Sequence, residues 1–181
     1  MSDLLSQLAE LENVEIFLEL CRRSQLAEDL AHGTYTVFAP TDKAFTLLPE
    51  PLFRALWSGP EEILIDVLEH HLVPGIQPDR PKGRGRRARM LRTVQGSQVE
   101  LTTEEYDGAA FSGPLLRCTN GVIRRVNQVG CPAYGVPNWP VELRLRWAFA
   151  DLENDRSLPG PRASRVRDGD ESRGHTTVAL H

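Results

Sequence analysis

One stretch of the sequence decides the fold of this chain: TYTVFAPTDKAF, residues 34–45. Its first six residues are β-branched, aromatic or small, which favours a strand. Pro40 ends that strand, because proline has no amide proton to donate to a ladder. Thr41 and Asp42 are expected to satisfy the free backbone amides at the start of a short helix that carries Phe45. The stretch therefore predicts a strand that passes directly into a capped helix.

Helices are predicted before this stretch. Leucines recur at three- and four-residue spacing from Leu4 onward, with Ser2 or Asp3 available as the N-cap of the first helix. Asn13 is expected to cap a second helix, and Gly33 is expected to stop the helical part of the chain. The first 32 residues are therefore expected to be helical.

Hairpins are predicted later in the chain. Pro60 opens another helix, which ends near His70 and His71. Further on, Gly96-Ser97 predicts a two-residue hairpin loop, and Asn120-Gly121 is the strongest short-range hairpin signal in the sequence. Helices first and hairpins later indicate an α+β fold rather than alternating α/β units. We expect one domain over residues 1–132.

The character of the sequence changes after Pro132. Apolar residues alternate with polar ones over 141–149, so residues 133–150 are expected to form an extended strand or a contact arm. This strand either completes the domain's own sheet or pairs with another subunit and buries Trp147 and Phe149 there. Residues 151–181 are polar and charged and are expected to form a disordered tail.

The composition is that of a soluble domain with an uneven distribution of charge. Of the 181 residues, 40% are hydrophobic and 25% are charged. Residues 1–75 have a net charge of −9, residues 76–132 of +5 and residues 133–181 of zero, which sum to −4. The N-terminus lacks the basic and apolar regions of a secretory signal. The chain as written is therefore expected to be cytoplasmic, while its localisation in the cell stays open, because an export signal could lie upstream of the given sequence. No apolar run is long enough to span a bilayer.

The three cysteines do not form a recognisable framework. Their number is odd, their spacing is wide and there is no C-x-x-C, which argues against a disulfide scaffold or a zinc ribbon. Neutral buried thiols are the expected state. A single bridge between Cys118 and Cys131 stays open.

A basic run is the first candidate interaction surface. Its arginines include Arg84, Arg86, Arg87 and Arg89. The run is either a solvated loop or a docking site for an acidic partner, an anionic lipid surface or nucleic acid. Aromatic residues for base stacking are missing from it, and the first half of the chain is acidic, so nucleic acid is the least expected partner.

His70 and His71 are the second candidate. Adjacent residues on a helix point about 100° apart, so the pair is poorly suited to chelate one metal ion. Asp66 and His70 lie four residues apart on one helix face, which fits a metal pair less well than a surface ion pair. There is no nucleophile elbow, P-loop or dinucleotide fingerprint. We therefore expect no cofactor, no metal and no enzymatic activity.

Three segments in order resemble the fasciclin-type (FAS1) domain family. Residues 36–45 resemble its first signature, His70-His71-Leu72-Val73-Pro74-Gly75 its central Tyr-His motif, and Asn120-Gly121-Val122-Ile123 the start of its second signature. The resemblance covers about residues 2–132 and implies a wedge of two β-sheets packed with several helices. It also implies an adhesion or protein-interaction module with no characteristic enzymatic activity, usually extracellular or surface-attached. The alternative it leaves is a carrier of a small hydrophobic ligand, a pigment or lipid, in a cleft between sheet and helices.

The resemblance also assigns structural roles and has limits. Val37 and Phe38 are expected to lie on opposite faces of a central strand, and His71 to hydrogen-bond buried backbone rather than act as a base. The family commonly has a histidine where Arg124 stands. Its apolar closing strand is replaced here by Asn127-Gln128-Val129-Gly130-Cys131-Pro132, so that strand is expected to be weaker.

Overall fold

The computed structural model describes residues 1–78 and 88–132. The described residues form six helices: α1 (Leu4–Glu10), α2 (Glu15–Arg23), α3 (Leu26–His32), α4 (Asp42–Thr46), α5 (Glu50–Ser58) and α6 (Glu61–His70). They also form eight strands: β1 (Tyr35–Pro40), β2 (Leu72–Pro74), β3 (Arg89–Arg92), β4 (Gln98–Leu101), β5 (Glu105–Tyr106), β6 (Ala109–Ala110), β7 (Leu116–Cys118) and β8 (Gly121–Val126). None of these helices is long and apolar enough to cross a membrane.

The strands form two four-stranded sheets, which confirms the α+β prediction. The first sheet has the order β2-β1-β8-β7, with β1 parallel to β8 and the other neighbours antiparallel. The second sheet has the order β3-β4-β5-β6 and is antiparallel throughout. The long-range parallel pairing of β1 with β8 brings the decisive stretch of sequence next to the second hairpin.

Strand β1 separates two hydrophobic cores. Val37 is fully buried on the helix side, and Phe38, 1% exposed, packs in the core between the two sheets. Because successive side chains of a strand point to opposite faces, the prediction that these two residues straddle the sheet is confirmed. Phe45 is also 1% exposed and holds α4 against the helix-side core.

The two sheets meet along both sides of the inter-sheet core. On one side the amide of Val94, after β3, donates to the carbonyl of Leu72 in β2 at 2.8 Å. On the other side Phe111 bridges Val126 of β8, and the amide of Ser112 donates to the carbonyl of Arg125 at 2.8 Å. These contacts produce the two-sheet wedge that the resemblance implied.

Two of the predicted helix caps are confirmed and one is wrong. Asp3 caps α1 by accepting from the Ser6 amide at 2.8 Å, and the Thr41 hydroxyl accepts from the Ala44 amide at 3.3 Å. Asn13 does not cap α2, because it adopts a left-handed conformation with φ of 66° and Val14 stands at the cap position.

The cap of α2 comes instead from a distant residue. The carboxylate of Asp42 accepts from the Ile16 amide at 2.8 Å. Asp42 does lie in the first turn of α4, as expected, but the amide that its carboxylate bonds belongs to α2 and not to α4. The carboxylate satisfies a free amide of α2, so it joins α2 to the β1–α4 corner.

Both hairpin loops differ from their predictions. Arg92 pairs with Gln98, so the first hairpin has five connecting residues, 93–97, instead of the two-residue loop Gly96-Ser97. Cys118 pairs with Gly121, so the second loop is Thr119-Asn120, shifted by one residue. Neither Asn120 nor Gly121 has a positive φ. The side chain of Asn120 instead hydrogen-bonds main-chain groups of Leu4, Leu30 and Gly33, and such distant contacts are not part of dipeptide statistics.

The remaining predictions fall partly outside the described residues. The strand or arm at 133–150, the tail at 151–181 and the greater part of the basic run all lie there. The three cysteines are free thiols, so the disulfide between Cys118 and Cys131 that the sequence left possible is not formed. Burial raises the pKa of the Cys21 thiol, which fits the expected neutral state.

Candidate functional site

The histidine that matches the family motif is a buried structural residue. His71 is 1% exposed at the C-terminal end of α6. Its Nδ1 lies 2.7 Å from the Val67 carbonyl, and its Nε2 accepts from the Gly130 amide at 2.9 Å. The two contacts require a neutral ring that donates from Nδ1 and accepts at Nε2. Burial lowers the pKa of His71 to about 3, which is consistent with that neutral tautomer.

The expectation that His71 hydrogen-bonds buried backbone is therefore confirmed. Both ring nitrogens are occupied by main-chain groups, so the ring has no lone pair available to take a proton from a substrate. The contact with Gly130 attaches the end of the described domain to α6. Gly130 is also packed tightly against the end of α6, because a Cβ at this position would lie 2.9 Å from Cδ2 of His70.

His70 connects α6 to the second sheet. It is 2% exposed, and its Nε2 lies 3.1 Å from Oδ2 of Asp107. Asp107 stands in the tight turn between β5 and β6 with φ of 49°. The hydroxyl of Tyr106 donates to the His70 carbonyl at 2.5 Å. The sequence indicated Asp66 as the acidic neighbour of His70, and the structure places Asp107 there instead.

The two histidine rings do not converge on one point. Their centroids are 5.9 Å apart and their planes cross at 84°, and each ring bonds to a different part of the chain. Within residues 1–78 and 88–132 no three His, Cys, Asp or Glu side chains are grouped so that they could hold a metal ion. The arrangement serves to join elements of the fold.

A solvent-open cleft lies at one end of the inter-sheet core. Its lining includes Thr36, Phe38, Leu101, Phe111, Leu115 and Arg124. The enclosed space amounts to about 10 Å³, which is room for roughly one water molecule. The cleft is thus a shallow surface depression with an apolar floor and one charged side chain.

An aromatic stack runs from the inter-sheet core into this cleft. The rings of Tyr106 and Phe38 are stacked with centroids 3.7 Å apart, and Phe111 follows at 6.3 Å from Phe38. The Arg124 guanidinium carbon lies 4.2 Å from the centroid of the Phe111 ring, a cation–π contact. Partial burial lowers the pKa of Arg124.

The predicted interaction residues are scattered. His70 and His71 are buried in the domain, and Arg89 is exposed on β3. The others lie outside the described residues: Arg84, Arg86, Arg87, Trp147 and Phe149. Sequence reasoning noted Arg124 only as a departure from the family, and Phe111 and Asp107 were given no role. The sequence signal that could have pointed to Arg124 is its charge at an inward position of β8, between Val122 and Val126.

The comparisons with known proteins identify the family. The Fasciclin domain model matches residues 12–132, more than half of the chain. The chain therefore belongs to the fasciclin domain family. Domains of this family are cell-adhesion-type modules and are generally not enzymes.

The named relatives are distant, and the chain spans only 15% of the length of ig-h3. The chain is 31% identical over 109 residues to transforming growth factor-beta-induced protein ig-h3 of Oryctolagus cuniculus, which covers 58% of this chain and 15% of that protein. The same protein of Sus scrofa matches to the same extent. Protein sll1483 of Synechocystis sp. is 29% identical over 124 residues, covering 67% of this chain and 68% of its own length.

A solved structure shares the fold. It is a FAS1 domain pair from the insect cell adhesion molecule Fasciclin I, with a TM-score of 0.53 and 17% identity, covering 71% of this chain and 50% of that chain. At this identity the likeness shows the fold alone. It agrees with the two-sheet wedge described above.

Proposed function

We propose that this protein is a non-enzymatic protein-interaction module of the fasciclin adhesion type. Membership of the fasciclin family supports the proposal, and the solved FAS1 domain pair comes from a cell adhesion molecule. The chain matches only 15% of ig-h3, so the partners of that longer protein do not identify the partner of this chain. The partner has to be inferred from the chain's own surface.

The observation that carries the proposal is the engagement of His71 by main-chain groups at both ring nitrogens. A general base needs a free lone pair near the proton it removes. In this domain the ring that matches the family motif is neutral, buried and occupied. The most recognisable residues of the sequence therefore serve the fold, and function is left to the exterior.

The exterior offers features suited to protein contact. Met90 on β3 is 59% exposed, and it lies between the exposed Arg89 and the inward-facing Leu91. Among the residues that the structure describes, β3 stands at the edge of the second sheet, and an edge strand is a place to which another chain can add. Trp57 is 38% exposed on α5, with Arg23 stacked 5.0 Å from its ring centroid. Trp and Arg are enriched at interaction hot spots.

The alternative of a hydrophobic-ligand carrier has less support. Pockets that hold small molecules have volumes of roughly 300–1,000 Å³. The cleft between the sheets encloses about 10 Å³. A pigment or lipid between the sheets would need them to separate and the stack of Phe38 on Tyr106 to open. On the other side of β1, between sheet and helices, where the carrier was expected to hold its ligand, Val37 and Phe45 are 0% and 1% exposed in the helix-side core.

Site-specific crosslinking tests the proposal. A photoreactive phenylalanine analogue is introduced at Met90, at Trp57 and, as a matched exposed position on another face, at Leu47, which is 56% exposed. The full chain is then irradiated with extract from the cells that produce it, and adducts are identified by mass spectrometry. We expect one reproducible protein adduct from at least one position and none from the heat-denatured chain. Absence of any fold-dependent adduct at all three positions would refute an interaction role.

A further inference from the structure

We propose that the outer side of β3 binds an extended segment of a partner protein in which two apolar residues stand between two acidic ones. The segment pairs with the main chain of β3 as an added strand and places a carboxylate beside each of its two arginines. This inference rests on the proposed interaction function and names its site and the chemistry of the partner. Among the described residues β3 has one neighbouring strand, β4, so its other side can receive a second.

The main-chain groups of two β3 residues point away from β4. The Asp107 amide donates to the Glu100 carbonyl at 2.7 Å, so the main-chain groups of Glu100 are directed towards β5. Met90 stands opposite Glu100 on β3, and this pair is therefore one of the pairs that alternate with hydrogen-bonded ones along an antiparallel ladder. The amide and carbonyl of Met90 are directed to the outer side of β3. Arg92, two residues further on, has the same orientation.

The two arginines of β3 have no acidic neighbour across the strand pair. Arg89 pairs with Leu101 and Arg92 pairs with Gln98, and both arginines are exposed. Nε of Arg92 donates to the Gly96 carbonyl at 3.2 Å, a neutral contact that leaves the positive charge in place. Opposite charges that face each other across two strands stabilise the pairing. A strand added on the outer side supplies this contact when acidic residues stand beside the two arginines.

The two residues between the arginines are suited to apolar neighbours. Leu91 is 7% exposed and faces the core between the sheets, whereas Met90 is 59% exposed on the opposite face. An added strand places one side chain beside each of them, because its side chains alternate between the same two faces. β3 has the order arginine, apolar, apolar, arginine. The complementary segment is acidic, apolar, apolar, acidic, and this pattern is the same in either chain direction.

The charge of β3 disfavours two other strands. Two copies of β3 paired with each other would bring their arginines together, and like charges across a strand pair are destabilising. Charges on an edge strand protect a sheet against such pairing with itself. The alternating residues 141–149 of this chain include Arg144 and Arg146 and one acidic residue, Glu142, so they complement β3 poorly. An acidic segment is accepted where these strands are repelled.

Peptide titrations of the isotope-labelled full chain, followed by the NMR chemical shifts of its amides, test the inference. The probe is the peptide Thr-Glu-Val-Ile-Glu-Thr. We expect the amides of Met90 and Arg92 to shift most, because they receive the added strand. A peptide with Gln in place of both Glu should bind about fivefold more weakly or less. A probe with N-methyl groups on its Val and Ile amides should lose binding, because it lacks a donor whichever side faces β3.

Matched variants separate strand addition from diffuse attraction. Met90→Pro removes an amide that points away from β4, where proline is tolerated, and should weaken the probe about tenfold. Met90→Thr keeps that amide and should change the affinity less than about threefold. Arg89→Gln should weaken the probe about two- to fivefold, whereas Arg117→Gln on the exposed part of β7 should change it less than about twofold. Circular dichroism and urea denaturation check that each variant is folded.

Three results would overturn the inference directly. The first is no binding of the probe, and the second is a set of shifted amides that lies outside β3. The third is equal weakening by Arg89→Gln and Arg117→Gln. If the peptide fails to bind while a crosslinked adduct still forms from Trp57 or Leu47, the interaction function stands and the β3 assignment falls.

Two further results would assign β3 to another strand. Amide shifts of β3 that depend on protein concentration without peptide would assign it to a second copy of this chain. Binding of the probe only after Leu145→Pro would assign it to the chain's own residues 141–149, because proline in that segment prevents strand pairing. Either result would contradict the acidic partner.

Discussion

Replacing Asn120 by alanine should destabilise this domain strongly, although the residue stands in a surface hairpin loop. Its Oδ1 accepts from the Leu4 amide at 2.8 Å. Its Nδ2 donates to the carbonyls of Leu30 at 2.9 Å and Gly33 at 2.8 Å. One side chain thus satisfies the first amide of α1 and two carbonyls at the end of α3, and it holds both helices against the β7–β8 hairpin.

The magnitude follows from the number of bonds lost. Each hydrogen bond contributes about 0.5–1.5 kcal/mol, and partners left unsatisfied in a partly buried position cost more. Three bonds therefore predict a loss of about 2–4 kcal/mol in the free energy of unfolding. Small domains are stable by only about 5–15 kcal/mol in total, so the effect is a large fraction of the whole.

Asn120→Asp gives a sharper version of the same test. The aspartate retains an acceptor for the Leu4 amide, but it has no donors for the two carbonyls and places a negative charge beside them. At neutral pH we therefore expect it to destabilise the domain at least as much as the alanine variant. A simple loss of side-chain volume would predict the opposite order, because aspartate is nearly isosteric with asparagine.

Urea denaturation followed by circular dichroism measures these changes, with the slope on urea concentration as a check that the transition stays two-state. Asn127→Ala is the control, since the Asn127 side chain is exposed. The hydrogen bond from its main-chain amide to the Ala110 carbonyl survives the substitution. The reasoning would be refuted if Asn120→Ala lowered the free energy of unfolding by no more than this control does. So would an aspartate variant as stable as the parent chain.

Three further results are expected. The fold lowers the pKa of His71 to about 3 from a normal value of 6.5, so between these values the unfolded chain binds a proton that the folded chain does not. The free energy of unfolding is therefore highest above pH 6.5 and falls by up to about 1.4 kcal/mol per pH unit as the pH drops towards 3. Urea midpoints recorded at a series of pH values measure this fall. Gly121→Ala should prevent normal folding, because its Cβ would lie 2.1 Å from the Tyr35 carbonyl oxygen between paired strands, and near-UV circular dichroism reports the loss. Tyr106→Phe removes only the hydroxyl bond to the His70 carbonyl and should lower the free energy of unfolding by about 0.5–1.5 kcal/mol.

The first two of these predictions have a control in the same chain. His32→Gln changes an exposed histidine and should leave the acid sensitivity in place, whereas a vanished slope would mean that His71 is not its source. Gly96→Ala meets no atom within 4 Å, so it should cost only the strain of its positive φ, about 1–2 kcal/mol. If Gly121→Ala were tolerated equally well, the close approach of β1 and β8 would be wrong.

The sequence indicated local elements well because their causes are local. The strand of residues 34–39, the Thr41 cap and the placement of Val37 and Phe38 on opposite faces of the strand follow from side-chain shape and strand periodicity. Asp3 likewise caps α1 from three residues away. The family resemblance then supplied the wedge of two sheets, which local patterns alone do not specify.

The errors arise where a side chain serves a distant element. The Asp42 carboxylate was expected to bond free amides of its own helix, α4. It instead accepts from the Ile16 amide of α2, 26 residues away. Asn120 was expected to form a turn with Gly121, and its amide instead bonds α1 and α3 across separations of 116 and 87 residues. Short polar residues satisfy whichever main-chain group is left free nearby, and only the folded chain determines which group that is.

The sequence by itself therefore determined the class of fold, the family and the buried role of His71. The tertiary structure decided that Asp107 is the neighbour of His70, and that Arg124, Phe111 and Phe38 form one stack at the mouth of a cleft. The reason is physical: propensity and periodicity act over a few residues, whereas these contacts depend on the parallel pairing of β1 with β8 and on the closure of one sheet over the other.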